Sequence, residues 1–239
     1  MNKKSVFISL IIIYCLLIGI LFSVTFVGKR AVTAVSSRIL PKDRICIVVD
    51  AGHGGVDGGA TSCTGVLESK INLEIALRVN DMLHLMGINT KMIRTMDISV
   101  YTKGESIAAK KVSDLKNRVN TVNDTENAML ISIHQNHFTD SKYRGAQVFY
   151  SANDSSDQWA KHIQIAMIEN LNPNSKRGIK KADGIYLLQN VDCPAVLVEC
   201  GFLSNPEEEA LLRNSDYQKK LSALMAATTS VFIRNYSIS

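Results

Sequence analysis

The chain has 239 residues, 46% of them hydrophobic, which is enough for one sizeable domain with a complete apolar core. Its formal net charge is +5, but residues 1–30 contain four of the 27 basic residues and none of the 22 acidic ones, so the rest of the chain is nearly neutral. This balance argues against a nucleic-acid partner. The five cysteines include no CxxC pair, which argues against a disulfide framework or a cysteine-based zinc site.

An uncharged, mostly apolar run extends from Ser5 to Gly28. As a helix it would span roughly 36 Å, enough to cross a bilayer. A cleaved signal peptide usually has a shorter apolar region, and Lys29 and Arg30 separate this run from the possible cleavage site at residues 32–34. We therefore favour a membrane anchor over a cleaved signal. The predicted organisation is an anchor or signal segment in residues 1–30, a tether in residues 31–44 and a folded domain in residues 45–239.

The folded part opens with a buried strand that leads into a glycine-rich loop. Residues 45–49 are apolar without alternation, as in a strand covered on both faces, and they run into Asp50. The loop that follows holds His53 among four glycines, Gly52, Gly54, Gly55 and Gly58. Because glycine permits positive φ and close approach of other groups, a histidine among glycines can be presented at a strand end. The alternative is a tight turn with an incidental histidine.

Further along the chain, helical and strand patterns alternate, with polar or glycine-containing segments between them. This alternation predicts a single α/β domain with a mostly parallel central sheet of about six strands and helices on both faces. Residues 95–113 are predicted to be a polar connection. After the first strand, the predicted strands are Ile88–Arg94, Ala128–Ile133, Gly145–Ser151, Gly184–Gln189 and Ala195–Cys200, and the predicted helices are Glu68–Gly87, Asp114–Asn123, residues 157–171 after a cap at Ser155 or Ser156, Pro206–Arg213 and Asp216–Ile233.

Three polar side chains lie at the carboxyl ends of predicted strands, where ligands bind in open α/β sheets. These are His53, His134 and Glu199, and Glu68 begins the helix after the glycine-rich loop, so that it can point toward the same edge. Two histidines, a carboxylate and an open position form a common catalytic zinc site, and a second carboxylate beside it can act as general base. The long sequence separations do not make this pattern diagnostic by themselves.

Four segments, in this order, resemble the motifs of the zinc-dependent N-acetylmuramoyl-L-alanine amidases of bacterial cell walls: VVDAGHGGVDGGA, ESKINLEIA, LISIHQNH and PAVLVECGFLSNPEE. The resemblance covers about residues 44–235. It implies that residues 45–239 are a zinc amidase catalytic domain, that one zinc ion is bound by His53, Glu68 and His134, and that Glu199 is the catalytic glutamate. The implied substrate is peptidoglycan, cleaved between N-acetylmuramic acid and L-alanine of the stem peptide.

Five further residues are predicted to support the site or bind substrate. Asn136 matches the asparagine of the family's SIHxN pattern, and Arg118 with Asn123 resembles its arginine-to-asparagine helix signature. Asp50 lies three residues before His53 and either orients its imidazole or caps the glycine loop. His137 occupies a position that is usually small in the family, where it either competes as a ligand or lines the substrate groove.

Within that family, the chain is most similar to the sporulation amidases of the spore cortex. The similarity rests on the apolar N-terminal segment, the lack of a cell-wall-binding repeat and the GIYLLQN segment at residues 184–190. It implies an extracytoplasmic location at the forespore membrane, an accessory protein, and joint action with a muramic acid deacetylase in making muramic-δ-lactam. Two other interpretations stay open, namely a zinc peptidase acting on the stem peptide and a membrane-tethered binding protein without catalysis.

Overall fold

The structure, a computed structural model, describes residues 45–236. The predicted anchor and tether lie outside the described residues. Between residues 45 and 236, no helix combines the length and the apolar character needed to cross a membrane. The strands are β1 (Cys46–Ala51), β2 (Asn89–Met92), β3 (Ala128–Asn136), β4 (Gln147–Tyr150), β5 (Lys180–Lys181) and β6 (Ala195–Phe202), and the helices are α1 (Glu68–Leu85), α2 (Ile107–Asn123), α3 (Ser156–Leu171), α4 (Tyr186–Asn190), α5 (Pro206–Leu212) and α6 (Ser215–Asn235).

The six strands form one sheet in the order β2-β1-β3-β6-β4-β5. Strand β1 pairs in parallel with β2 and β3, and β3 pairs in parallel with β6, whereas β4 is antiparallel to β6 and parallel to β5. The predicted α/β domain with a mostly parallel sheet of six strands is therefore confirmed. Because β1, β3 and β6 are parallel neighbours, their carboxyl ends meet at one edge of the sheet.

Helices cover both faces of this sheet, as predicted. The larger apolar core joins β1, β3 and β6 to α1, α3 and α6, and the fully buried Trp159 belongs to it. The indole N–H of Trp159 donates to Thr229 Oγ1 at 3.1 Å, so its polar group is satisfied inside the core. The smaller core, around Val48, Leu130 and Leu197, packs against α2 and α4 on the other face. A sheet buried on both faces explains the continuous apolar runs of its central strands.

Helix α2 begins at Ile107, seven residues before the predicted start at Asp114. Ser106 is its N-cap, with a side-chain oxygen that accepts from the backbone N–H of Ala109 at 3.2 Å. The first turns of α2 are largely exposed and lack an apolar stripe. Hydrophobic periodicity therefore misses them, and part of the predicted polar connection is helical.

The predicted strand at Gly184–Gln189 is wrong, because this segment contains helix α4. The adjacent residues Leu187 and Leu188 are both buried in the smaller core. A short helix can turn two successive side chains toward one core, whereas a strand would point them to opposite faces. A short apolar run does not distinguish a buried helix from a strand. The strand pairing with β4 is instead made by Lys180–Lys181.

Candidate metal centre

His53 lies two residues beyond β1, in the glycine-rich loop, with a left-handed backbone at φ 59°. This conformation is uncommon for a residue with a Cβ and marks a position held by its surroundings. Its Nδ1 contacts Asp57 Oδ2 at 2.9 Å, and its Nε2 lies 3.3 Å from Glu68 Oε2. A carboxylate on Nδ1 favours the tautomer whose Nε2 lone pair is free, so the ring is oriented to bind a metal through Nε2.

Glu68 is the first residue of α1 and is buried. Its Oε1 accepts from Asn72 Nδ2 and from the backbone N–H of Gln135, both at 3.1 Å, and its Oε2 accepts from the N–H of Ala60 at 3.0 Å. Burial acts to raise the pKa of Glu68, but the hydrogen bonds and charges of His134 and His53 outweigh it and hold that pKa far below its usual range. The side chain is therefore an ionised, fixed carboxylate.

His134 belongs to β3, near the carboxyl end of the strand. Its Nδ1 lies 3.1 Å from Glu68 Oε1, and its ring centre is 5.0 Å from that of His53. The register between β3 and β6 shifts just after His134, and within this irregularity the N–H of Gln135 turns to Glu68. Such irregularities re-aim groups next to functional sites.

Two glycines leave the space that these side chains occupy. A Cβ on Gly52 would lie 2.2 Å from Nε2 of His134, and a Cβ on Gly59 would lie 2.5 Å from Oε2 of Glu68. Gly59 also has a positive φ of 69°. These two glycines thus have a steric role. A side chain at either position would occupy the space that the two imidazoles and the carboxylate need in order to lie together.

His53, Glu68 and His134 form the cluster of potential metal ligands within residues 45–236, with ligand atoms that all lie within 4.8 Å of one another. Two imidazole nitrogens and one carboxylate oxygen are a donor set typical of catalytic zinc. The partners of Glu68 and His53 beyond the cluster are of the kind that orient metal ligands. The donor set of these three residues therefore fits one zinc ion.

Glu199 lies in β6 as the Cα partner of His134, so the two side chains emerge on the same face of the sheet. Its Oε2 is buried and has no hydrogen-bond partner among the described residues. Burial raises the pKa of Glu199 to about 7; His134 and His53 act to lower it, and the charge of Glu68 adds to the rise. A buried carboxyl that titrates near neutrality beside a metal cluster suits general acid–base catalysis.

Asp50 and Arg118 form a buried ion pair behind the loop. Asp50 also accepts from Ser132 Oγ at 2.6 Å; burial acts to raise its pKa, but Arg118 and Ser132 lower it below the usual value. Arg118 binds Asp114 at 2.6 Å and donates to the backbone carbonyl of His53 at 2.7 Å. The alternative in which Asp50 orients the imidazole of His53 is therefore wrong, and Asp50 acts on the loop backbone through Arg118.

The remaining predicted residues lie in different places. Asn136 is half-buried at the end of β3, two residues after His134 on the same strand. Its backbone carbonyl accepts from the N–H of Leu203 at 2.8 Å. His137 is exposed and stands outside the three-residue cluster. Both remain predictions as substrate-binding residues.

Asn123 lies at the other end of α2, away from the cluster. Its side chain binds the carbonyl of Asn190 and Oδ2 of Asp192, and it lines a cavity together with Ala128, the first residue of β3. Helix α2 runs from the carboxyl edge of the sheet to the amino edge, so Arg118 reaches the site and Asn123 does not. The prediction that Asn123 supports the site is wrong.

Sequence reasoning missed Asp57 and Arg94. Asp57 follows His53 by four residues, within the GHGGVD segment, and is also paired at 3.1 Å with Lys111 from the early turns of α2. Arg94 is buried just beyond β2 and donates to the carbonyls of Ala51 and Gly52 at 2.8 and 2.9 Å. The spacing within GHGGVD could have indicated Asp57, whereas nothing local distinguishes Arg94 from an ordinary charged residue after a strand.

The domain places a His-Glu-His cluster at the carboxyl edge of its sheet, beside a glutamate whose pKa is about 7. This arrangement is typical of a single-metal hydrolase. The sequence model of the N-acetylmuramoyl-L-alanine amidase family matches residues 47–229, and the chain belongs to this family. It is thus an amidase that acts on peptidoglycan, as the sequence motifs predict.

Named relatives support the same assignment. The germination-specific N-acetylmuramoyl-L-alanine amidase of Bacillus subtilis is 40% identical over 186 residues, which cover 77% of this chain and 78% of the relative. The amidase LytC of Bacillus subtilis is 30% identical over 190 residues, which cover 78% of this chain but only 35% of LytC. The CwlD amidase from Clostridioides difficile, solved in complex with the GerS lipoprotein, superposes with a TM-score of 0.77 at 34% identity, over 81% of this chain and 100% of that one.

Proposed function

We propose that this chain hydrolyses the amide between N-acetylmuramic acid and L-alanine in spore-cortex peptidoglycan, with one zinc ion held by His53, Glu68 and His134. The observation that carries the proposal is the convergence of these three ligand atoms within 4.8 Å, in a cluster whose histidine His134 is the strand partner of Glu199. Zinc bound there would supply a Lewis acid that polarises the scissile carbonyl and lowers the pKa of water.

Glu199 is the general base and then the general acid in this proposal. As a carboxylate it accepts a proton from the attacking water, and it then returns that proton to the amine nitrogen of L-alanine as the carbon–nitrogen bond breaks. Both transfers need a group that exchanges its proton near neutral pH, and the pKa of about 7 meets this need. Asp57 and Arg118 hold the ring and the backbone of His53 in place during these steps.

The cortex assignment is supported by the relatives. One is named a germination-specific amidase, and it is matched over most of its length. We propose that this chain acts outside the cytoplasm, at the forespore membrane facing the cortex, attached through its N-terminal segment. Its product would be passed to a muramic acid deacetylase on the way to muramic-δ-lactam.

An accessory protein is part of the same proposal. The CwlD amidase was solved as a complex with a lipoprotein, GerS. We propose that a membrane-associated partner binds this chain in a comparable way, and that activity is greatest in its presence. Purified chain with and without co-expressed lipoprotein candidates tests this point through the rate of substrate cleavage.

Digestion of cortex peptidoglycan tests the reaction itself. Mass analysis of the zinc-loaded reaction should show intact stem peptides beginning with L-alanine and glycan strands that lack them. Peptides that begin at a later residue would instead indicate a zinc peptidase acting on the stem peptide. Binding to peptidoglycan without release of any fragment, with and without the partner, would indicate a non-catalytic protein.

A further inference from the structure

A surface cavity of about 520 Å³ lies between Arg144, three residues before β4, and residues 172–177, which follow helix α3. Strand β4 is the neighbour of β6, the strand that carries Glu199. The size of the cavity is within the range of small-ligand sites. Three lining residues are basic, three are neutral and polar, and none is acidic; they are Arg144, Lys176, Arg177, Asn172, Asn174 and Ser175. Arg144 is also paired with Glu207 at 3.0 Å. Lys176 and Arg177 have no ion-pair partner within residues 45–236, so the cavity keeps positive charge that can bind an anionic group.

Arg177 is the fixed element of this cavity. It is half-buried, its Nε donates to the carbonyl of Arg144 at 2.8 Å, and its Nη1 donates to Oε1 of Gln147 at 3.4 Å. Its guanidinium carbon lies 4.8 Å from the ring centre of Phe202. Within residues 45–236 no carboxylate forms an ion pair with Arg177. The charge of Arg177 also acts on the buried carboxyl of Glu208, but at a distance beyond that of an ion pair. A planar guanidinium held in one orientation, with no carboxylate in direct contact, is well suited to bind one.

Gln147 connects this cavity to the catalytic residue. It is buried, and in the antiparallel pair of β4 and β6 it is the Cα partner of Glu199. Directly opposed residues on antiparallel strands have side chains about 5 Å apart on the same face. Arg177 is therefore one side chain removed from Glu199, a separation that a substrate group a residue or two from the scissile bond can span.

We propose that Arg177, Arg144 and Lys176 form a subsite that binds a free carboxylate of the stem peptide, on the leaving-group side of the scissile amide. This inference rests on the proposed function. The peptide is favoured over the glycan as occupant because the stem peptide carries free carboxylates, whereas the sugars present neutral hydroxyl and acetamido groups. The basic lining thereby sets the direction in which the substrate lies across the metal centre.

The test compares two preparations of peptidoglycan fragments, one with free stem-peptide carboxylates and one with those carboxylates converted to amides. For the full-length wild-type protein we expect kcat/KM to be about tenfold higher or more on the free acid, chiefly through KM. The double variant Arg144→Gln with Lys176→Gln removes two exposed charges and should lose most of this preference, through a lower kcat/KM on the free acid and little change on the amide. Arg177→Gln should do the same, and Arg177→Lys should restore part of the preference.

Lys91→Gln is the matched control, since it removes one exposed lysine from β2, at the opposite edge of the sheet. It should keep the wild-type preference. Equal kcat/KM of wild-type protein on the two preparations, or a preference that survives in the double variant with unchanged unfolding midpoint, would overturn the subsite. Failure of the proposed function is distinguishable, because the wild-type protein would then cleave neither preparation. In that case the subsite is tested by binding: the wild type should bind the free-acid peptide more tightly than its amide, and the double variant should lose this difference.

Discussion

The guanidinium of Arg118 donates to the backbone carbonyl of His53 at 2.7 Å, at a residue whose φ is 59°. The same guanidinium is paired with the buried carboxylate of Asp50 and with Asp114. A left-handed backbone costs a residue with a Cβ roughly 1 kcal/mol or more, so the surrounding contacts must hold it. This network holds the backbone of the loop that presents the imidazole.

Replacement of Arg118 by lysine should weaken zinc binding by about 10- to 100-fold. A single ammonium group cannot reproduce the forked contacts to Asp50, Asp114 and the carbonyl of His53. Competition with a chromogenic chelator measures the zinc affinity directly. Arg234→Lys, at an exposed position near the end of α6, is the control and should bind zinc as the wild type does. An unchanged affinity in Arg118→Lys would show that this network does not position His53.

Asp57→Asn should lower zinc affinity by about tenfold while the fold remains intact. The carboxylate is only partly buried, and it contacts His53 Nδ1 at 2.9 Å and Lys111 at 3.1 Å. The amide can still accept a hydrogen bond, but it lacks the charge that favours the ligating tautomer. Asp81→Asn, at an exposed position of α1, serves as control. Equal zinc affinities for Asp57→Asn and Asp81→Asn would remove Asp57 from the metal centre.

Gly52→Ala should displace the imidazole of His134 and greatly reduce zinc binding. The added Cβ would lie 2.2 Å from Nε2 of that ring, much closer than side-chain atoms approach. Gly178→Ala is a matched control, since neither glycine has a positive φ and a Cβ on Gly178 meets no atom within 4 Å. Zinc content after dialysis should be low for Gly52→Ala and unchanged for Gly178→Ala. If Gly52→Ala binds zinc normally, the close packing of loop and ring is not required.

Glu199→Gln should stabilise the metal-free protein at high pH. The pKa of Glu199 is raised by burial from 4.5 to about 7, so the stability that its protonated form contributes is complete below pH 4.5 and is lost as pH rises through 7. Glutamine does not titrate. The free energy of unfolding of the variant, relative to that of the wild type, should therefore rise by up to about 3 kcal/mol between pH 4 and pH 8. Urea unfolding with a chelator present measures the difference. Glu126→Gln, at an exposed site, should show no such trend, and a constant difference for Glu199→Gln would contradict the raised pKa.

The parts of the fold that could be predicted from the sequence are those in which burial requires apolar residues at regular positions. The central strands β1, β3 and β6 are buried on both faces, and their apolar runs, together with the helical periodicity of α1 and α6, predict the sheet and its carboxyl edge. The strand patterns also place His53 and His134 at that edge, and Glu68 is predicted to point toward it as the first residue of the next helix. The structure brings the three side chains together.

The remaining features depend on contacts between distant segments. The exposed first turns of α2 carry no apolar signal, yet they bring Lys111 to Asp57. The buried pair of Asp50 and Arg118 joins residues 68 positions apart. Likewise, the short α4 could not be distinguished from a strand until Leu187 and Leu188 were seen to pack on one core. Tertiary contacts of this kind leave little trace in a local pattern.

The most direct test of the metal centre measures zinc content and amidase rate together in full-length Glu199→Gln and His53→Ala. We predict that Glu199→Gln retains one zinc ion per chain and loses cleavage of cortex peptidoglycan by about a thousandfold or more, whereas His53→Ala loses both zinc and cleavage. Cleavage at the wild-type rate by Glu199→Gln, with its zinc retained, would contradict the assignment of Glu199 as the general base.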